Sequence, residues 1–230
     1  MEALPAKGFL PAWKILWSYL DSAAAGTVPT SVKGNGHRAA LEVCSGKKGS
    51  EKMPSWNSRG LRGSVLEESL NITNEKYRQE KLALVQKIPT PITPMEIDRE
   101  RHHITLAYFG QKSTVDYIGN VQGVPICFDA KECASDTFPI QNIHRNQIEY
   151  MKEFEGQDGI AFLIIYFKKV EEYYYVPFKD VAFFWDRAEG GGRKSFRREE
   201  LDASYQIKFS NQIYIHYLEM LSKDLESREK

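Results

Sequence analysis

Ile160-Ala161-Phe162-Leu163-Ile164-Ile165-Tyr166-Phe167 is the stretch from which the fold can be read. It has the length of a strand, is rich in β-branched and aromatic residues, and is apolar on both faces. A strand of that kind needs cover above and below, so it predicts a central sheet enclosed by helices. Immediately before it, the spacing predicts a helix over 144–154, closed by Gly156, with Ile148, Tyr150 and Met151 turned inward. After it come a weaker strand over 173–176, Phe183-Phe184-Trp185 read as core at a strand end, a loop at Gly190-Gly191-Gly192, a short helix after Ser195, and an amphipathic helix carrying Leu218, Leu221 and Leu225.

Further upstream, 114–118 and 124–130 read as strands joined by a turn region over 119–123. Short strands over 95–97 and 104–109 flank the charged Asp98-Arg99-Glu100-Arg101 and predict a projecting hairpin. The prolines Pro89, Pro91 and Pro94 deny the backbone donors that a central strand or a helix over 88–94 would require. A strand is expected over 82–85. Order begins near Ser64, where Ser64-Val65-Leu66-Glu67 has the spacing of a capping box and opens an apolar stripe at Leu66, Leu70, Thr73 and Tyr77. The sum is an α/β fold with a mixed central sheet flanked by helices.

The chain has 230 residues, 42% hydrophobic and 27% charged, enough apolar material for one large domain with a tail. Every hydrophobic run is cut by charge, Gly or Pro well short of the roughly 20 residues a spanning helix needs, so no membrane partner is expected. Cys44, Cys127 and Cys133 form no CxxC pair, which fits a reducing cytoplasm better than a disulfide framework. Net charge is zero but uneven: residues 1–63 hold nine Lys/Arg against four Asp/Glu, a surplus of five that the rest of the chain reverses. Residues 1–56 read as a basic, unstructured arm ahead of a folded domain over 57–230, an arrangement suited to polyanions.

Asp116 and Asp129-Ala130-Lys131 carry the most suggestive chemistry. The strand's period of two sends Asp129 and Lys131 to one face, and the neighbouring strand brings Asp116 beside them. Paired carboxylates of this kind suit Mg²⁺, which prefers oxygen ligands and engages substrate phosphate. A lysine next to them can stabilise charge developing on that phosphate, so phosphodiester hydrolysis is the natural use.

Around these residues lie further motifs: Arg62-Gly63-Ser64-Val65-Leu66-Glu67 with Leu70-Asn71 and Thr73-Asn74; Lys87-Ile88-Pro89-Thr90-Pro91-Ile92; Ser113-Thr114-Val115-Asp116-Tyr117; Phe128-Asp129-Ala130-Lys131-Glu132; Phe138-Pro139-Ile140-Gln141-Asn142-Ile143-His144 with Gln147-Ile148-Glu149-Tyr150; Phe184-Trp185; and Gly192-Arg193-Lys194-Ser195. In order and spacing they resemble the RecU-type Holliday junction resolvases of the PD-(D/E)xK nuclease superfamily, whose fold is restriction-endonuclease-like. That resemblance implies a homodimer, dependent on Mg²⁺ with Mn²⁺ as substitute, that cuts four-way junction DNA symmetrically in recombination and repair. It places Thr114, Asp116, Asp129 and Gln147 at the metal, Lys131 at the transition state and Glu67 nearby. It makes 93–111 a stalk, sets Arg62, Arg99, Arg101, Arg193 and Lys194 against DNA, and adds recombination proteins as candidate partners. One departure bears on the site: Asp129 stands where members of the family usually carry Glu, a reach shorter by one methylene.

Bland readings stand beside these. Glu67 can serve as a helix cap, Lys131 as an edge-strand lysine, and Gln147 as a solvated helix residue. Arg187, Arg193, Lys194, Arg197 and Arg198 form the densest basic cluster and suit either phosphate contacts or plain exposed charge. His102 and His103 face opposite sides of a strand and are expected not to chelate. A nuclease acting on linear DNA and a non-catalytic junction-binding or recombinase-regulating protein are the rival functions.

Overall fold

The computed structural model of the chain describes residues 64–110, 114–208 and 215–229. Arg62 and the predicted arm over 1–56 lie outside the described residues. Helices are α1 (Val65–Gln79), α2 (Arg145–Glu155), α3 (Phe178–Glu189) and α4 (Tyr217–Arg228). Strands are β1 (Leu84–Lys87), β2 (Ile92–Asp98), β3 (His103–Phe109), β4 (Tyr117–Val121), β5 (Val124–Cys133), β6 (Thr137–Pro139), β7 (Ile160–Phe167), β8 (Glu172–Pro177), β9 (Ser195–Arg197) and β10 (Gln206–Ile207). Six of them form one sheet in the order β1-β4-β5-β7-β8-β10. Within it β5 and β7 run parallel and the other neighbours antiparallel, which makes the sheet mixed. The expected α/β class, with helices on both faces, is what the chain adopts.

β7 lies inside the sheet, between β5 and β8. Its alternate residues feed two separate cores. Ile160, Phe162 and Ile164 enter a layer with Leu66, Leu70 and Tyr77 of α1 and Leu218 and Leu221 of α4. Ala161, Leu163, Ile165 and Phe167 enter the other, with Ile148 and Met151 of α2 and Val181 and Phe184 of α3. Across the α1/α4 face runs an aromatic ladder, Tyr117 on Phe128 on Phe162 on Tyr175, with centroids 4.7, 4.8 and 4.3 Å apart. Each ring covers the next strand's ring, so the ladder ties β4, β5, β7 and β8 through one continuous contact.

Several elements differ from expectation. Leu82 and Ala83 close α1 rather than start a strand: their N–H groups donate to the Tyr77 carbonyl at 2.9 and 3.4 Å, and β1 begins at Leu84. The 114–118 strand starts later, at Tyr117, and Gly119 lies inside β4 rather than in a turn. Its reason is close approach, since a Cβ there would stand 2.5 Å from the Leu84 carbonyl oxygen of β1. The turn itself is Gln122-Gly123, both at positive φ. β2 includes Pro94, which the ladder accommodates by shifting register between Pro94 and Glu96 on a ribbon with open edges. Phe183, Phe184 and Trp185 belong to α3, not to a strand end; Phe184 is buried while Phe183 is 63% exposed. Ser195 opens β9 and a 3-10 turn rather than a helix, because Phe196 must point inward against Phe138 and Phe184, at 5.1 and 4.3 Å.

The hairpin β2/β3 is a separate two-stranded sheet. Along it Ile92, Met95, Ile97, Ile104, Leu106, Tyr108 and Phe109 are all exposed. Among the described residues no helix is long and apolar enough to cross a membrane.

Candidate active site

Strand alternation on β5 points Cys127, Asp129 and Lys131 into the α2/α3 layer. Asp116 stands just ahead of β4, whose Tyr117 pairs with Phe128 of β5. The two aspartates hold each other through the backbone: the Asp116 N–H donates to Asp129 Oδ1 at 3.1 Å, and the Ala130 N–H donates to Asp116 Oδ2 at 3.0 Å. Asp129 is fully buried. Its Oδ2 has the Lys131 ammonium 2.5 Å away but receives no well-aligned hydrogen bond. Burial, and next the charge of Asp116, push the Asp129 carboxyl well above the usual carboxylate range, with Lys131 opposing them. The structure thus brings Asp116, Asp129 and Lys131 into mutual contact at one place on the sheet.

Glu67 approaches from the other layer, in the first turn of α1. The expected capping box is half formed: Ser64 Oγ accepts from the Glu67 N–H at 3.1 Å, while the Glu67 carboxylate pairs with Lys87 of β1 instead of reaching back. Tyr117, the residue after Asp116, meets the backbone of this turn of α1. Its hydroxyl donates to Asn71 Oδ1 at 3.0 Å and to the Glu67 carbonyl at 3.3 Å. Burial, and then the charges of Glu67, Asp116 and Asp129, raise its pKa.

Gln147 is buried in the first turn of α2, and its Oε1 accepts the His144 N–H at 2.9 Å, a capping role. Glu155, at the other end of α2, accepts from the Ala161 N–H at 3.1 Å. Eight residues of helix back from there rise about 12 Å, and four residues along β7 from Ala161 advance about 13 Å. The two spans are thus of similar length, and Ile165 is the β7 partner of Lys131. Thr114 is partly buried two residues before Asp116.

The predicted DNA contacts spread out. Arg99 and Arg101 sit exposed at the tip of the β2/β3 hairpin, Arg101 4.0 Å from Asp98. Arg193 and Lys194 lie on the loop after α3, which is fastened where the Ile140 N–H donates to the Lys194 carbonyl at 3.1 Å. In the basic cluster Glu200 pairs with both Arg187 and Arg193, at 2.9 and 3.0 Å, and Glu172 with Arg198 at 3.0 Å. Arg193, Lys194 and Arg197 are the exposed members of this cluster. His216 is a satisfied polar position, with Nδ1 2.8 Å from the Tyr77 hydroxyl.

Among the described residues no group of three or more His, Cys, Asp or Glu side chains gathers to hold a metal. Two carboxylates, one on β5 and one just ahead of β4, the former with a buried oxygen lacking an aligned donor, are nevertheless a fitting set for a hard cation that keeps waters and takes substrate oxygens. Sequence reasoning passed over Glu132. It follows Lys131 directly, and the same alternation that faces Lys131 toward the site turns Glu132 onto α1, where its Oε1 accepts the Leu66 N–H at 3.1 Å.

Known proteins resemble this chain in sequence. A protein from Bacillus licheniformis named Holliday junction resolvase RecU is 40% identical over 178 residues, covering 75% of this chain and 87% of its own. Its Bacillus subtilis namesake is 38% identical over 184 residues, 78% of this chain and 87% of its own. The solved structure of Archaeoglobus fulgidus Hjc, a Holliday junction resolvase, covers 61% of this chain and 83% of that one at 9% identity and a TM-score of 0.32, too slight a likeness to argue from. The family model described as Recombination protein U matches residues 61–223, and with those relatives it shows that the chain belongs to the RecU family.

Proposed function

We propose that the chain is a divalent-metal-dependent endonuclease that resolves four-way DNA junctions by symmetric hydrolysis of phosphodiesters. The observation that carries this reading is the mutual clamp of Asp116 and Asp129 with Lys131 at 2.5 Å. Asp116 and Asp129 would hold the cation, Mg²⁺ or Mn²⁺, with Thr114 and Gln147 lining the same place. When bound, it supplies Lewis acidity toward the phosphate and acidifies a water for attack. Lys131 offers its ammonium to the charge that grows on the phosphate oxygens. Glu67 stands by from α1, its carboxylate paired with Lys87. Arg99, Arg101, Arg193 and Lys194 would meet phosphates, and Arg62 joins them from outside the described residues.

Symmetric cutting calls for two copies. The β2/β3 hairpin supports that assembly: Ile97 pairs with Ile104, and Leu106 and Tyr108 follow on the same side, exposed by 59, 42, 51 and 53% in turn. A two-stranded ribbon is marginal alone, so an apolar face of this size is suited to a second hairpin. A DNA substrate places the protein in the cytoplasm. The test is initial-rate cleavage of an immobile four-way junction against linear duplex in Mg²⁺ or Mn²⁺. Preferential cutting of the junction is expected; equal cutting of both would favour a nuclease of linear DNA.

A further inference from the structure

Glu132 has a place in this nuclease reading that capping alone does not describe. Its two carboxylate oxygens are divided between two elements. Oε1 accepts the N–H of Leu66 at 3.1 Å, one of the first-turn amides of α1 that the helix cannot satisfy itself. Oε2 lies 2.5 Å from the ammonium of Lys168, the residue after β7. Lys168 is in turn anchored, since its N–H donates to the Cys133 carbonyl at the end of β5 at 2.8 Å. Burial works against ionisation of Glu132, yet Lys168 and the Leu66 amide hold its carboxyl below the usual range, so it meets the positive end of α1 as a charge.

The next residue along α1 is Glu67, gripped from the opposite side by Lys87 of β1. The first turn of α1 is thus tied at two points, to β5 through Glu132 and to β1 through Lys87. β5 also carries Asp129 and Lys131, three and one residues before Glu132 on the same rigid strand. Ser64 already caps the Glu67 N–H locally, so the second tie, from 66 residues away, adds register between α1 and β5 rather than helix formation.

We propose that Glu132 is a positioning residue: by fastening the first turn of α1 to the strand that bears Asp129 and Lys131, it fixes where Glu67 is presented to the metal site. The proposal rests on the nuclease reading and on Glu67 belonging to that site. Supporting groups behind metal ligands typically govern affinity or activity by about 10- to 100-fold.

The test compares Glu132→Ala, Glu132→Gln, Glu67→Gln and the double variant Glu132→Ala/Glu67→Gln with wild type. Junction cleavage is followed across a Mn²⁺ titration, with thermal unfolding recorded for each protein. Glu132→Ala is expected to raise the half-saturating Mn²⁺ by about tenfold. Glu132→Gln, whose amide oxygen still accepts from Leu66, should recover most of that loss. In the Glu67→Gln background, adding Glu132→Ala should change the metal response no further, because both act through one group. An Ala variant that loses activity only in proportion to its unfolded fraction, with unchanged half-saturating metal, overturns the proposal, as does full additivity in the double variant. If Glu67→Gln responds to metal like wild type, the proposal fails while the nuclease reading stands. A wild type inert on junctions in every metal overturns that reading itself.

Discussion

At Asp129 a carboxylate is fully buried, with an ammonium 2.5 Å away and a second aspartate hydrogen-bonded into its own strand. Burial and the Asp116 charge raise its pKa from 3.8 to about 8 in the folded protein. The folded state therefore keeps a proton that the unfolded chain has released above about pH 4. Stability contributed by this group is present below that pH and is lost as pH rises toward 8. Melting temperatures of metal-free protein are expected to fall across this window, Mn²⁺ to restore them most at the alkaline end, and Asp129→Asn to flatten the trend. A wild-type profile as flat as that variant's would contradict the assignment. The Asp129/Lys131 pairing was legible in the sequence because a period of two is enough to put both on one face. The same period pointed Glu132 at α1, but its use as an acceptor for a helix amide depends on where α1 docks, which no local pattern reveals. The pairing of the Glu67 carboxylate with Lys87 escaped for a like reason, since Lys87 stands on β1, twenty residues on.

β7 is the element best read in advance, because its two-sided apolar run leaves one way to be buried. β4 was read less well, and Gly119 explains why. In sequence a glycine before Gln122-Gly123 looks like part of a turn; in the sheet it lets β1 approach, with Leu84 O and Val85 Cα within 2.5 and 2.8 Å of any added Cβ. Gly119→Ala is expected to destabilise the protein by about 1–3 kcal/mol through overpacking against backbone that cannot yield. Urea denaturation would show this as a lower midpoint with unchanged slope, and an unchanged midpoint would mean β1 is free to move. α3 shows the opposite case: Phe183-Phe184-Trp185 has strand composition, but burial at Phe178, Val181 and Phe184 follows a helical spacing that appears only when the window includes Phe178.

In the molecule as a whole, two cores share one sheet while the β2/β3 hairpin stands apart with apolar side chains in solvent. The hairpin was foreseen from its charged tip, although its strands run farther, through Pro94, because an open-edged ribbon tolerates a missing donor. If its apolar face joins two copies, a Leu106→Asp/Tyr108→Asp double variant should sediment as monomer at concentrations where wild type is dimeric, with the unfolding midpoint of the body little changed. A dimer that survives both substitutions would place the interface elsewhere. Family membership follows from the sequence likeness over residues 61–223; the catalytic claim rests on a smaller set of atoms. It is tested most directly by the initial rate of Mg²⁺-dependent cleavage of an immobile four-way junction by wild type, Asp116→Asn and Lys131→Ala, with linear duplex as control. The account predicts junction-selective cutting by wild type, a loss of at least about 100-fold in each variant, and junction binding retained in both. Cleavage undiminished in either variant would contradict it.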